Sequence, residues 1–115
     1  MAVRRIVTNV ATDRLDEAKD FYVDVLGMTI AMDHGWIGTL TGSGSAIPQI
    51  SFAEEGGSGT PVPELSIEVD DPNLVHARAM TAGAVVEYGP VSEPWGVRRF
   101  YLRDLFGRLL RLRTH

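Results

Sequence analysis

Trp95-Gly96-Val97-Arg98-Arg99-Phe100-Tyr101-Leu102-Arg103-Asp104-Leu105-Phe106-Gly107-Arg108-Leu109-Leu110-Arg111-Leu112 reads as a strand, a tight turn and a second strand. Residues 97–102 are β-branched, aromatic and alternating, and residues 109–112 alternate again. Asp104 and Gly107 take the first and last places of a type I turn. Side chains on a strand point to opposite faces in turn. A hairpin in simple register therefore sets Arg99, Tyr101, Leu109 and Arg111 on one face, and Phe100, Leu102, Leu110 and Leu112 on the other. The second face is oily enough to lie on a helix. The first carries guanidinium groups and a phenol, as a binding surface does.

The rest of the composition narrows the classes. A chain of 115 residues bounds a single domain, 1–115, with room for a core. Its net charge of −4 argues against nucleic acid and membrane surfaces as partners. Six of the ten arginines nevertheless fall in the last eighteen residues. Cysteine is absent, which excludes thiol catalysis, thiolate metal sites and disulfides. Met1-Ala2-Val3-Arg4-Arg5-Ile6 enters a strand without an apolar leader core, and no apolar run reaches membrane-spanning length. The expectation is a cytoplasmic protein.

Working outward from the hairpin, the element order repeats. In the first half, residues 4–10 form a strand, and Asp13 is the candidate cap of a helix with Asp16 and Glu17 in its first turn. Leu15, Ala18, Phe21, Tyr22, Val25 and Leu26 recur along that helix at helical spacing, and Gly27 closes it. Strands follow at 29–32, 36–41 and 49–52, with Gly42 to Ser45 as a flexible loop. The second half has a strand at 64–69, then Asp70-Asp71-Pro72 opening a helix that Gly83 closes. Strands at 85–88, 97–102 and 109–112 complete it. Each half is thus a βαβββ unit, one over 1–53 and the other over 63–115, joined by a Glu-, Gly-, Ser- and Pro-rich linker at 54–62. The identity between the halves is slight, so the repeat rests on element order.

Leu15 with Phe21-Tyr22 and Leu26-Gly27, then Val69-Asp70, Gly83 and Phe100-Tyr-Leu-Arg-Asp-Leu-Phe-Gly107, resemble in order and spacing the vicinal oxygen chelate superfamily of glyoxalases, bleomycin-resistance proteins and extradiol dioxygenases. Leu105 departs from the family's usual proline, which a type I turn tolerates. The resemblance implies an α+β fold whose two βαβββ units form a half-open barrel with a concave cleft, and a homodimer. Metal-dependent members draw ligands from the first and last strand of each unit. Carried over, those positions fall on Val7, Gln49, Glu64 and Arg111. Valine has no lone pair, arginine is cationic and an amide carbonyl is a weak ligand, so this set does not make a metal site. His34 in a turn, His76 on the second helix and His115 at the terminus do not complete it. No metal and no other cofactor is expected.

The remaining readings are of ligand contact. Glu64 and Arg111 are expected on neighbouring strands and facing the cleft, either as a structural salt bridge or as receivers of a polar ligand group, with Glu64 as a possible general base. Trp36, Trp95, Arg99 and Tyr101 offer flat rings and a guanidinium suited to planar, conjugated ligands. Either tryptophan could instead belong to the core or a dimer contact. Asn9, Ser51 and Ser66 share the concave face with Val7, Gln49 and Glu64. The candidate ligand-binding set is Trp36, Gln49, Glu64, Trp95, Arg99, Tyr101 and Arg111. Two functions follow. One is metal-independent binding of a planar aromatic or antibiotic-like small molecule, in the manner of the resistance proteins, without turnover. The other is a lyase, isomerase or dioxygenase with an altered ligand set. The sequence names neither the ligand nor any chemistry done on it.

Overall fold

A computed structural model describes residues 3–44 and 46–114. Met1, Ala2, Ser45 of the Gly42–Ser45 loop, and His115 lie outside them. The first unit comprises β1 (Val3–Ala11), α1 (Leu15–Asp24), β2 (Thr29–Asp33), β3 (Ile37–Thr41) and β4 (Gln49–Ala53). The second comprises β5 (Leu65–Val69), α2 (Pro72–Thr81), β6 (Val85–Ser92), β7 (Arg98–Arg103) and β8 (Leu109–Arg113). By contacts, residues 7–62 form one compact group, and residues 63–114 form the other together with the opening of β1, residues 3–6.

The two units share one topology. In the first the strands run β2-β3-β4-β1, and in the second β6-β7-β8-β5. Each unit's first and last strands pair in parallel, Asn9 with Ser51 and Ser66 with Arg111, while the others pair antiparallel. A strand returning in parallel beside the first needs a long connection, and the intervening helix and hairpin provide it.

Each helix covers the apolar face of its own strands. Leu15, Leu40 and Phe52 form the first core, with Ala18, Tyr22, Val23, Met28 and Ile50 packed against them. Val69, Phe100 and Leu112 form the second, with Ile67, Val75, Val86, Leu102 and Leu110 around them. His76 is part of this packing, its ring edge-on to Phe100 at 5.3 Å. The hairpin has the register that its alternation predicts, Arg99 opposite Arg113, Tyr101 opposite Arg111 and Arg103 opposite Leu109. Asp104 Oδ1 accepts hydrogen bonds from the Phe106 and Arg108 amides, and Gly107 takes φ +79°. That left-handed conformation favours glycine.

Several local expectations are corrected. Asp13 does not cap α1; the cap residue is Arg14, whose side chain makes no capping bond and pairs with Glu17 instead, while its amide donates to Thr12 Oγ1. Asp71 does cap α2, accepting from the Leu74 amide at 3.2 Å. The apolar stripe of α1 is split: Leu15, Ala18 and Tyr22 reach the core, whereas Phe21, Val25 and Leu26 are exposed. β6 runs on through Gly89-Pro90 to Ser92, where the sequence suggests a stop at Tyr88. Register shifts on either side of Tyr88 take up the irregularity, so proline's missing donor breaks no regular ladder. Residues 54–62, read as a linker, carry local hydrogen bonds of their own. Gly56 donates to the Thr60 carbonyl at 2.7 Å and Thr60 returns a bond to Gly57, with Gly56, Gly57, Thr60 and Pro63 buried.

Candidate functional site

The polar face of the second unit is built by alternation. β5 contributes Ser66 and Glu68, β8 contributes Arg111 and Arg113, β7 contributes Arg99 and Tyr101, and β6 adds Tyr88 beside Tyr101. Ser66, Arg111 and Tyr101 make one row across three strands, so the guanidinium of Arg111 has hydroxyl-bearing neighbours on both sides. Ser66 Oγ accepts from Arg111 Nε at 3.0 Å and Nη2 at 2.7 Å. Burial pushes the Arg111 guanidinium down to about 10, aided by the like charges of Arg99 and Arg113 and opposed by Tyr101. Arg113 is also lowered, by burial and then by Arg5, with Glu68 opposing.

Beside this row sits a sealed cluster around Arg99, which is 0% exposed. Its Nε donates to Glu93 Oε2 at 2.8 Å, and Nη2 meets the same oxygen at 2.5 Å. Nη1 donates to the Tyr101 phenol at 2.9 Å. Tyr88 donates to both Glu93 carboxylate oxygens at 3.2 Å. The guanidinium also packs against three rings, 5.3 Å from the centroid of Tyr88 and 5.1 Å from those of Trp95 and Tyr101. Such contacts favour arginine over lysine, because the planar cation both stacks and forks. Tyr101 is 1% exposed, Tyr88 is half-buried, and Trp95 at 38% is the most exposed ring of this cluster. Two further carboxylate–arginine contacts bound the unit: Glu68 with Arg5 at 3.2 Å, and Glu87 with Arg103.

Trp95, Arg99, Tyr101 and Arg111 are therefore brought onto one face of one unit. Two other expected residues belong to the first unit and stand at opposite ends of the β3–β4 pair. Trp36 immediately precedes β3 and stacks on His34 at 6.2 Å, while Gln49 opens β4 opposite Thr41. The expected Glu64–Arg111 pair does not form. Glu64 lies just before β5 with 54% of its side chain exposed, and its Oε2 accepts from Arg108 Nη1 at 2.7 Å. At the strand's end the carboxylate turns to the nearer solvent-exposed cation, whose pKa it raises, instead of entering the desolvated row. That placement also removes the reason to read it as a general base.

The register corrects one further position. Ser66 faces Arg111 as Asn9 faces Ser51, so the first-unit counterpart of Arg111 is Ser51 and not Gln49. Ser51 is buried and shares a 2.7 Å hydroxyl contact with Thr39. With Val7, Ser51, Glu64 and Arg111 at the four positions, the donor chemistry fits a divalent metal no better than before. Among the described residues no three His, Cys, Asp or Glu side chains gather as a metal-binding group. Glu93 and Tyr88 were not legible as site residues. Glu93 falls just after β6 among loop-forming residues, and only the tertiary fold brings it to Arg99. A separate groove of about 350 Å³ on α1, lined by Thr12, Arg14, Glu17, Ala18, Phe21 and Tyr22, contains none of the expected site residues.

A duplicated βαβββ architecture with a polar strand face opposite each helix defines the class. The sequence matches the family described as Glyoxalase/Bleomycin resistance protein/Dioxygenase superfamily over residues 5–112, and the chain belongs to that superfamily. Among solved structures it is similar to a glyoxalase/bleomycin resistance protein/dioxygenase superfamily member from Vibrio splendidus 12B01, at 18% identity and TM-score 0.68, covering 96% of this chain and 98% of that one. It is similar to Streptomyces coelicolor methylmalonyl-CoA epimerase in complex with 2-nitronate-propionyl-CoA, at 19% identity and TM-score 0.72, covering 98% of both chains. A structure from Legionella pneumophila, described as an NAD-dependent benzaldehyde dehydrogenase, has TM-score 0.76 at 12% identity, covering 96% of this chain and 98% of that one. At these identities the likeness is one of fold. Comparison with curated protein sequences finds no match. No helix is long and apolar enough to cross a membrane among the described residues.

Proposed function

We propose that this chain is a small-molecule-binding member of the superfamily that acts without a divalent metal, sequestering a planar aromatic or antibiotic-like compound as a cytoplasmic homodimer. The observation that carries the reading is the side chain at the last-strand position of the second unit. Arg111 is buried there, bonded to Ser66, and supplies a fixed positive charge where a metal-dependent relative would need a lone pair. Valine and serine at the first-unit positions, and a Glu64 turned out to Arg108, agree with it. The exposed Phe21 on α1 and Val25 at its C-terminal cap, one turn apart, support an apolar contact between subunits.

The test is a thermal-shift screen of planar aromatic metabolites and antibiotics, followed by recovery of each hit. A compound that binds the native state raises its melting temperature. The reading expects at least one such compound, bound with micromolar affinity and recovered unchanged. Its catalytic transformation well above the solution rate would refute sequestration. The alternative, a lyase, isomerase or dioxygenase with an altered ligand set, is favoured by the fold shared with methylmalonyl-CoA epimerase. Transformation of a hit that depends on added metal would select it.

A further inference from the structure

The cover that α1 gives its own strands stops short of β1. Ile50 and Phe52 of β4 belong to the core beneath α1, with Leu15, Ala18 and Tyr22. β1 pairs in parallel with β4, Thr8 beside Ile50 and Val10 beside Phe52, so Thr8 and Val10 continue the same face. Alternation adds Ile6 and Arg4 to that row of β1. All four residues are exposed, Ile6 at 57% and Val10 at 38%. Strands paired in parallel are ordinarily covered on both faces, so an open apolar row here calls for a cover. α1 has the matching surplus. Phe21 is 53% exposed along the helix and Val25 is 62% exposed at its C-terminal cap. Asp20 and Asp24 beside them are exposed, and neither joins an ion pair among the described residues. The last turn of α1 holds no basic residue, although the carbonyl end of a helix favours a cation.

We infer that the open face of β1 receives α1 of a second copy of this chain. The inference rests on the homodimer of the reading above and assigns the two surfaces that meet in it. The spacings match, since residues four apart on a helix are about 6 Å apart along its axis and residues two apart on a strand about 6.6 Å. Val25 of one copy then seats on Ile6 of the other, with Phe21 on Thr8 and Val10. That direction brings Asp24 and the carbonyl end of α1 to Arg4, an exposed cation on a row without an acid. Charge also argues against two α1 helices meeting through their outer faces, because each carries Asp16, Glu17, Asp20 and Asp24. A twofold axis makes the contact twice. Ile6, Val10, Phe21 and Val25, each about half exposed, offer roughly 400 Å² of apolar area per subunit. That is about half of what a standard interface buries on each side, the apolar share such an interface needs.

Sedimentation equilibrium of the full chain tests this. The parent is expected to be a dimer, and Ile6→Asp and Phe21→Asp are each expected to weaken it by about tenfold or more. Met80→Asp, the same change at a 58% exposed position on α2, should alter the dimer constant less than about twofold. Arg4→Glu and Asp24→Arg should each weaken the dimer by about threefold or more, since each reversal acts twice per dimer. Combined in one chain they restore the pairing with its signs exchanged, and the constant should return to within about twofold of the parent. The charge exchange changes only exposed side chains, so it decides the matter even where an aspartate variant fails to fold. A dimer unmoved by Ile6→Asp and by Arg4→Glu overturns the inference and leaves the homodimer standing. A combined variant weaker than either single reversal overturns the Arg4–Asp24 contact, and an equal loss in Met80→Asp overturns the assignment to β1. A parent that sediments as a monomer refutes the homodimer and this inference with it, while small-molecule binding is judged by its own screen.

Discussion

Removing the Glu93 carboxylate should unfold the second unit's polar face from its middle. Arg99 is fully buried, and two of its nitrogens meet Glu93 Oε2 at 2.5 and 2.8 Å. Glu93→Ala leaves that cation in a desolvated setting with its charge uncompensated, and takes the acceptor of the Tyr88 phenol at the same time. Breaking one side of a buried pair typically costs about 3–5 kcal/mol. For a chain of this size each kcal/mol moves the melting temperature by roughly 4 °C. The expected drop is therefore about 12–20 °C in a calorimetric or circular-dichroism melt, together with loss of near-ultraviolet signal from the rings packed on Arg99. The paired change Glu93→Leu with Arg99→Met removes both charges and should recover most of the loss, to within about 2 kcal/mol of the parent. A drop below about 1 kcal/mol for Glu93→Ala alone would refute the reasoning, because Arg99 would then be solvated or paired differently from what its geometry indicates.

Gly89→Ala should destabilise strongly in the same melt, since a Cβ there would lie 2.6 Å from the Arg99 carbonyl oxygen at a φ of +74°. A change under about 1 kcal/mol would mean that β6 and β7 part easily at that point. Arg111→Met should leave stability within about 1 kcal/mol of the parent or raise it, because a desolvated cation is exchanged for an apolar chain; a loss above about 3 kcal/mol would make Arg111 a structural residue. The Lys19–Asp33 contact at 2.7 Å should show in acid titration. Lys19 holds the Asp33 carboxyl below its ordinary value of 3.8, helped by the Gly35 amide. Its contribution is present above that ordinary value and lost as the pH falls through the lower folded value. The stability difference between the parent and Asp33→Asn should therefore be flat from pH 5 to neutrality and shrink below about 3.8; a difference that shrinks only on the alkaline side would contradict the assignment.

Much of the fold was legible because period-2 alternation is a strong signal where one strand face is buried. Phe100, Leu102, Leu110 and Leu112 went to the core as their spacing requires, and Arg99, Tyr101 and Arg111 went to the other face. The glycines that end both helices were equally plain, with φ of +68° at Gly27 and +75° at Gly83. Helical periodicity does not say how wide the covered stripe is, so Phe21, Val25 and Leu26 read as core and lie in solvent. The site was less legible for a related reason. Alternation assigns a residue to a face but does not choose its partner, and partner choice put Glu64 on Arg108 and Arg99 on Glu93. The Ser51 counterpart of Arg111 could have been found by counting strand register from Asn9 and Ser66, where counting from the resemblance gave Gln49.

The central claim, that the superfamily's metal positions here hold no metal, is tested most directly by equilibrium dialysis of the full chain against manganese, cobalt, nickel and zinc in turn, with metal per chain measured by elemental analysis. The account predicts far less than one ion per chain for each, and no change when Glu64 is replaced by glutamine. Close to one ion per chain, lost in Glu64→Gln or after Arg111→Met, would contradict it.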